Sequence, residues 1–108
     1  MLSKSRRLVR NDFSKRALRS VPFAFGSIKV LDGPSWPDRS KAAVVVSKKV
    51  LPYAVSRNAL RRRVYAILRE KFRTGAITHT LIVYPNKKAS VATFAELASE
   101  LERALVRC

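Results

Sequence analysis

Between residues 47 and 73 the chain gathers side chains suited to holding phosphate. Ser47-Lys48-Lys49 closes an apolar run, and Arg57-Asn58-x-x-Arg61-Arg62 follows after a short turn. Residues 48–73 carry nine basic side chains with Glu70 as the sole acid among them. Placed on a helix, Asn58, Arg62, Tyr65, Arg69 and Arg73 fall on one stripe beside the apolar face. Arg57 and Arg61 lie one turn apart at the edge of that stripe. A helix face that is only solvated tends to mix signs and form i to i+4 pairs, whereas this stripe has almost no acid. An arginine fork matches two phosphate oxygens in a way that lysine cannot. The first-turn amides add further anion donors. Asn58 adds a group able to bond a base edge or a 2′-hydroxyl.

A second basic segment covers residues 1–31, where eight Lys and Arg stand against Asp12 alone. The whole chain has 23 Lys+Arg and 7 Asp+Glu, a formal net charge of +16 over 108 residues. Such a charge repels itself in a compact fold unless a polyanion covers it, and nucleic acid is the leading candidate. An anionic membrane surface ranks second, and no stretch approaches the roughly 20 apolar residues a span requires. The hydrophobic share of 47% argues against disorder.

The sequence offers no protein catalytic centre and no metal site. It lacks a Gly-rich phosphate loop, a nucleophile elbow and an HExxH pattern. A metal-dependent nuclease needs converging carboxylates, and the acids here are scattered. His79 has no Cys partner or dense acid cluster near it and is expected to be structural or exposed. Trp36, in a Pro-rich loop, is expected to anchor that loop. The one cysteine, Cys108, leaves no internal disulfide and fits a reducing cytoplasm. MLSKSRRLVRND has no apolar stretch behind it, so no secretory signal is expected; Asp12 and the helix predicted there argue against a mitochondrial transit peptide.

The elements that must position these groups follow from periodicity. Residues 1–10 form a basic segment expected to be frayed or ordered only on binding. Asn11 caps a predicted short helix, roughly Asp12 to Arg19, ended by Ser20, Val21 and Pro22. Phe23 to Leu31 is predicted as a strand, the turn-rich residues 32–38 as a loop, and Ala42 to Ser47 as a buried strand. Ser56 is the predicted N-cap of the principal helix, which runs to about Arg73. Leu60, Val64, Ile67, Leu68 and Phe72 make its apolar face, and Gly75 stops it. Thr80 to Tyr84 forms another strand. Thr93-Phe94-Ala95-Glu96 is a capping box that opens a last amphipathic helix. The expected fold is a single α+β domain over residues 1–108, with helices packed on one face of a sheet.

These residues resemble a known family. Val44-Val45-Val46-Ser47-Lys48-Lys49 followed by Arg57-Asn58-x-x-Arg61-Arg62 is similar to the protein subunit of bacterial ribonuclease P. There a strand ending Ser-Lys-Lys leads into an Arg-Asn-x-x-Lys/Arg-Arg helix. The likeness extends to Asp12-Phe13-Ser14-Lys15 early in the chain, to the late apolar strand, and to the final Phe94-x-Glu96-Leu97 helix. Ala59 departs from the pattern where members often have a basic residue. Tyr65-Ala66 stands where they often have Arg-Glu, with Arg69-Glu70 one turn later.

The resemblance implies an α-β-β-β-α-β-α sandwich with a four-stranded sheet and a left-handed βαβ crossover. It implies two partners, a catalytic RNA and precursor tRNA, with one protein per RNA in the cytoplasm and no membrane. Lys48, Lys49, Arg57, Asn58, Arg61, Arg62 and Arg69 would face the catalytic RNA. Phe13, Lys15, Arg16 and Lys29, with Phe23 and Phe25 nearby, would line a cleft for the single-stranded 5′ leader, by stacking and backbone tracking. For Phe13, stacking and plain core packing both remain open. Mg²⁺, held mainly by the RNA, would support hydrolysis, so the chain would be an accessory subunit with no catalytic residue of its own. The rival reading is a structural RNA-binding protein such as a small ribosomal protein.

Overall fold

A computed structural model gives the fold and describes residues 17–31, 41–75, 77 and 79–107. Its strands are β1 (Ala17–Phe23), β2 (Gly26–Leu31), β3 (Ala42–Val44) and β4 (Leu81–Pro85). Two α-helices, α1 (Ala54–Arg73) and α2 (Phe94–Arg107), and a short 3-10 helix (Lys87–Ser90) complete them. The strands form one sheet in the order β1-β2-β4-β3. The β1–β2 and β2–β4 pairs are antiparallel, while β3 and β4, joined through α1, are parallel.

Alternation sorts the strand residues onto two faces. Val21, Ile28, Ala42, Val44, Leu81 and Val83 join Leu60, Val64, Leu68, Phe72, Leu97 and Leu101 in the main core, between sheet and helices. Leu31, Ala43 and Ile82 form a second buried cluster, with Val45 and Tyr84 packed against it. By register these lie on the opposite face of the sheet. Two contacts tie α2 in place. Arg107 donates to the Pro22 carbonyl at 2.9 Å, and Lys71 of α1 pairs with Glu102 at 3.3 Å.

The apolar period of α1, its stop at Gly75 (φ +76°) and the α2 capping box all stand as the sequence implied. In that box the Glu96 amide donates to Thr93 Oγ1 at 3.2 Å, and the Thr93 amide donates to Glu96 Oε1 at 3.1 Å. The bond from the Thr93 amide is the main cause that lowers the Glu96 carboxyl pKa below its ordinary value. A carboxylate lowered in this way supports the fold above the usual Glu range, and that support is lost as pH falls through the lowered value.

Four boundaries differ from expectation. The predicted early helix lies outside the described residues up to residue 16, and its predicted end, with Ser20-Val21-Pro22, belongs to β1. Pairing along β2 wins there, and Pro22 is tolerated because β1 is an edge strand. The predicted Phe23–Leu31 strand is instead one arm of a hairpin that turns at Ala24 and Phe25 into Gly26. Regular β3 ends at Val44, although the Val45 amide still reaches the Val83 carbonyl at 2.9 Å. Finally, α1 starts two residues before the predicted cap Ser56. Its N-cap is Tyr53, with no side-chain cap bond.

Candidate nucleic-acid interface

The segment leading into α1 is shaped by its own polar groups. Ser47 accepts backbone bonds at its carbonyl from the amides of Val50 and Leu51, both at 3.1 Å, and its hydroxyl accepts from Val50 at 3.3 Å. That turn leaves Lys48 and Lys49 exposed. Arg57 then reaches back across it. Its Nη1 donates to the carbonyls of Leu51 at 2.9 Å and Pro52 at 2.8 Å. These carbonyls precede the helix, so Arg57 braces the helix entrance. Sequence had assigned it to the partner RNA alone.

Beyond the entrance, α1 presents a flank beside β3. A concave space of about 410 Å³ opens there, lined by Val44, Asn58, Arg61, Arg62 and Tyr65. Arg61 donates to the Asn58 side-chain oxygen, which holds both polar groups at the rim. Arg62 and Arg69 are exposed, and among the described residues no acid pairs with either. Arg73, the last member of the stripe, donates through Nε to Glu70 at 3.0 Å and through Nη2 to the other carboxylate oxygen. That bond is the main cause holding the Glu70 carboxyl below its usual range. Arg73 is therefore already paired with an acid, and among the described residues the cations of the flank without an acid partner are Arg61, Arg62 and Arg69.

Tyr65 departs from its place on the basic stripe. It is 8% exposed, and its hydroxyl accepts the Val44 amide at 3.1 Å. Parallel pairing directs alternate amides of β3 toward β4, so the Val44 amide points off the free sheet edge. Tyr65 satisfies it and locks α1 to that edge, which sets the distance between strand and basic flank. Tyr65→Phe should therefore cost about 1 to 3 kcal/mol of stability by leaving a buried donor unpaired. Urea unfolding checks this, and a loss under about 0.5 kcal/mol would contradict it.

The described carboxylates do not converge. Glu70 pairs with Arg73, Glu96 closes the capping box, Glu100 lies 3.6 Å from Arg103 and Glu102 pairs with Lys71. No group of three or more His, Cys, Asp or Glu comes together among the described residues. Nor is any helix among them long and apolar enough to cross a membrane.

The residues expected to meet the leader divide. Phe13, Lys15 and Arg16 lie outside the described residues. Phe23 and Phe25 pack, half-buried, against the helix-side core. Lys29 sits on the other face, in register with Ser20 and Ile82, and its ammonium lies 5.5 Å from the centre of the Tyr84 ring. The structure therefore does not bring Phe23, Phe25 and Lys29 together on one face. The sequence reading missed Tyr84, although its spacing from Ile82 in β4 was signal enough to place it there.

Comparison with known proteins gives the chain a family. The family model described as Ribonuclease P matches residues 2–108. The chain belongs to the ribonuclease P protein family. As such it is a protein component of ribonuclease P, at work in tRNA processing. The RNase P protein of Thermotoga maritima superposes on it with a TM-score of 0.75 at 24% identity, over 97% of this chain and 98% of that one. The RNase P protein of Staphylococcus aureus gives 0.68 at 21% identity, covering 97% of this chain and 95% of its own. No curated protein matches the chain in sequence. The ribonuclease P fold thus persists here with Tyr65 bonded to the sheet edge and Arg57 bonded to the loop.

Proposed function

We propose that this ribonuclease P protein binds a catalytic RNA through α1 and the Ser47–Lys49 turn, and offers the opposite sheet face to the 5′ leader of precursor tRNA. The observation that carries the reading is a flank of arginines, Arg61, Arg62 and Arg69 with Asn58, that no acid pairs among the described residues, the described acids being engaged elsewhere. Lys48 and Lys49 extend the same charge beyond the helix, and Arg57 holds that extension in place. On the sheet, Lys29 over Tyr84 pairs a cation with an aromatic ring, a combination that tracks backbone and stacks bases on single strands. Phe13, Lys15 and Arg16, which the family resemblance assigns to the leader, lie outside the described residues.

In this reading the chain screens repulsion between two polyanions and orients the substrate. The partner RNA holds Mg²⁺ and performs the hydrolysis, and one protein serves one RNA in the cytoplasm. The test is to identify the RNA that co-purifies with the protein, then to assay that RNA for tRNA 5′ processing. A single structured RNA that removes leaders supports the reading. Co-purification of ribosomal RNA alone would overturn it.

A further inference from the structure

The residue that opens α1 carries a feature the basic flank does not explain. Tyr53 is 74% exposed and Val55 81% exposed, and Pro52 beside them is also exposed. Exposed apolar side chains grouped in one short segment and bordered by the charges of Lys48 and Lys49 mark a contact with something absent from the free chain. The role of Tyr53 as N-cap does not call for its ring, because it makes no side-chain cap bond. The backbone that carries the ring is nevertheless held in place. The Tyr53 carbonyl accepts the Arg57 amide at 3.1 Å, and the Arg57 side chain clamps the carbonyls of Leu51 and Pro52 just before it. The chain on its other side is fixed by the Ser47 turn, which displays Lys48 and Lys49.

We infer that Tyr53 is a stacking platform for an unpaired base of the partner RNA, with Lys48 and Lys49 on the adjoining backbone. This rests on the proposed function. The charge around the ring selects a polyanion, and the flat ring selects one that has an exposed π-face. A base stacked on an aromatic side chain gains without sequence preference, and a backbone already fixed beneath the ring confines the ordering cost to one side chain. Double-stranded RNA hides its bases, so the contact falls on a loop, bulge or end. Stacking involves no charge, and this separates Tyr53 from its lysine neighbours in the salt dependence of binding.

The experiment measures the affinity of the full chain for the ribonuclease P RNA of the same genome, across a salt series. It uses wild type, Tyr53→Phe, Tyr53→Leu and Tyr53→Ala. Since the side chain is exposed, thermal melting of the free protein should be unchanged in all four. Phe should bind within about twofold of wild type. Leu and Ala should weaken binding by about 5- to 150-fold, the equivalent of the roughly 1 to 3 kcal/mol of one base stack, with an unchanged log–log salt slope. Leu binding as tightly as wild type, or a slope lowered by about one, would overturn the platform and leave the proposed function standing. If wild type failed to bind the RNA at all, the proposed function would fall and this inference with it.

Discussion

Replacing Arg61 and Arg62 together with Ala should weaken binding to the catalytic RNA by about 3 kcal/mol or more, roughly 100-fold, with little change in the stability of the free protein. Each guanidinium can make charge-assisted bonds to phosphate worth about 1.5 to 3 kcal/mol. Neither is needed by the core: Arg62 is exposed, and among the described residues the bond of Arg61 is to Asn58, one turn before it. Because two counterion-releasing contacts are lost, the log–log salt slope should fall by about 2. Arg57→Ala is the informative contrast. It removes the two bonds to Leu51 and Pro52, so its effect on RNA binding should come with a lower melting temperature. An Arg61/Arg62 double variant whose affinity and salt slope matched wild type would remove the basic flank from the account.

The largest loss of stability is expected at Gly26. Its φ of +147° lies where L side chains rarely go, and a Cβ there would stand 2.1 Å from the Tyr84 carbonyl oxygen. Both obstacles are backbone, so no side chain can yield to admit the methyl group. The hairpin turn is held besides by the Asn86 amide, which donates to the Phe25 carbonyl at 2.8 Å. Gly26→Ala should cost about 3 kcal/mol or more, combining backbone strain with forced separation of β2 from β4. Urea unfolding reads this directly. A variant within about 1 kcal/mol of wild type would mean that the hairpin has another geometry.

The parts legible in sequence were those set by local period and local chemistry. The three- and four-residue spacing from Leu60 to Phe72 located α1, and Thr93 with Glu96 located the start of α2. What escaped depended on partners distant in the chain. Residues 17–22 carry no strong period of their own, and only pairing with β2 makes them a strand. Tyr65 fell on the basic stripe by angle, yet the Val44 amide 21 residues earlier draws its hydroxyl inward. Arg57 sits in the motif that points to RNA, but the two carbonyls within its reach give it a structural task as well. Phe23, Phe25 and Lys29 looked like one group along the chain. The register of the hairpin puts Lys29 on the far face, because neighbouring strand residues point opposite ways.

The central claim is that this chain positions RNA and leaves the chemistry to its partner. Precursor tRNA cleavage tests it most directly, with three reactions run side by side: RNA-free protein, the ribonuclease P RNA alone, and the reconstituted complex. The account predicts no leader removal by the protein alone at any Mg²⁺ concentration. It predicts cleavage by the complex at low salt and low Mg²⁺, and partial recovery by the RNA alone as both are raised, since both screen phosphate repulsion. Leader removal by RNA-free protein, abolished by substituting Glu70 or His79, would contradict it.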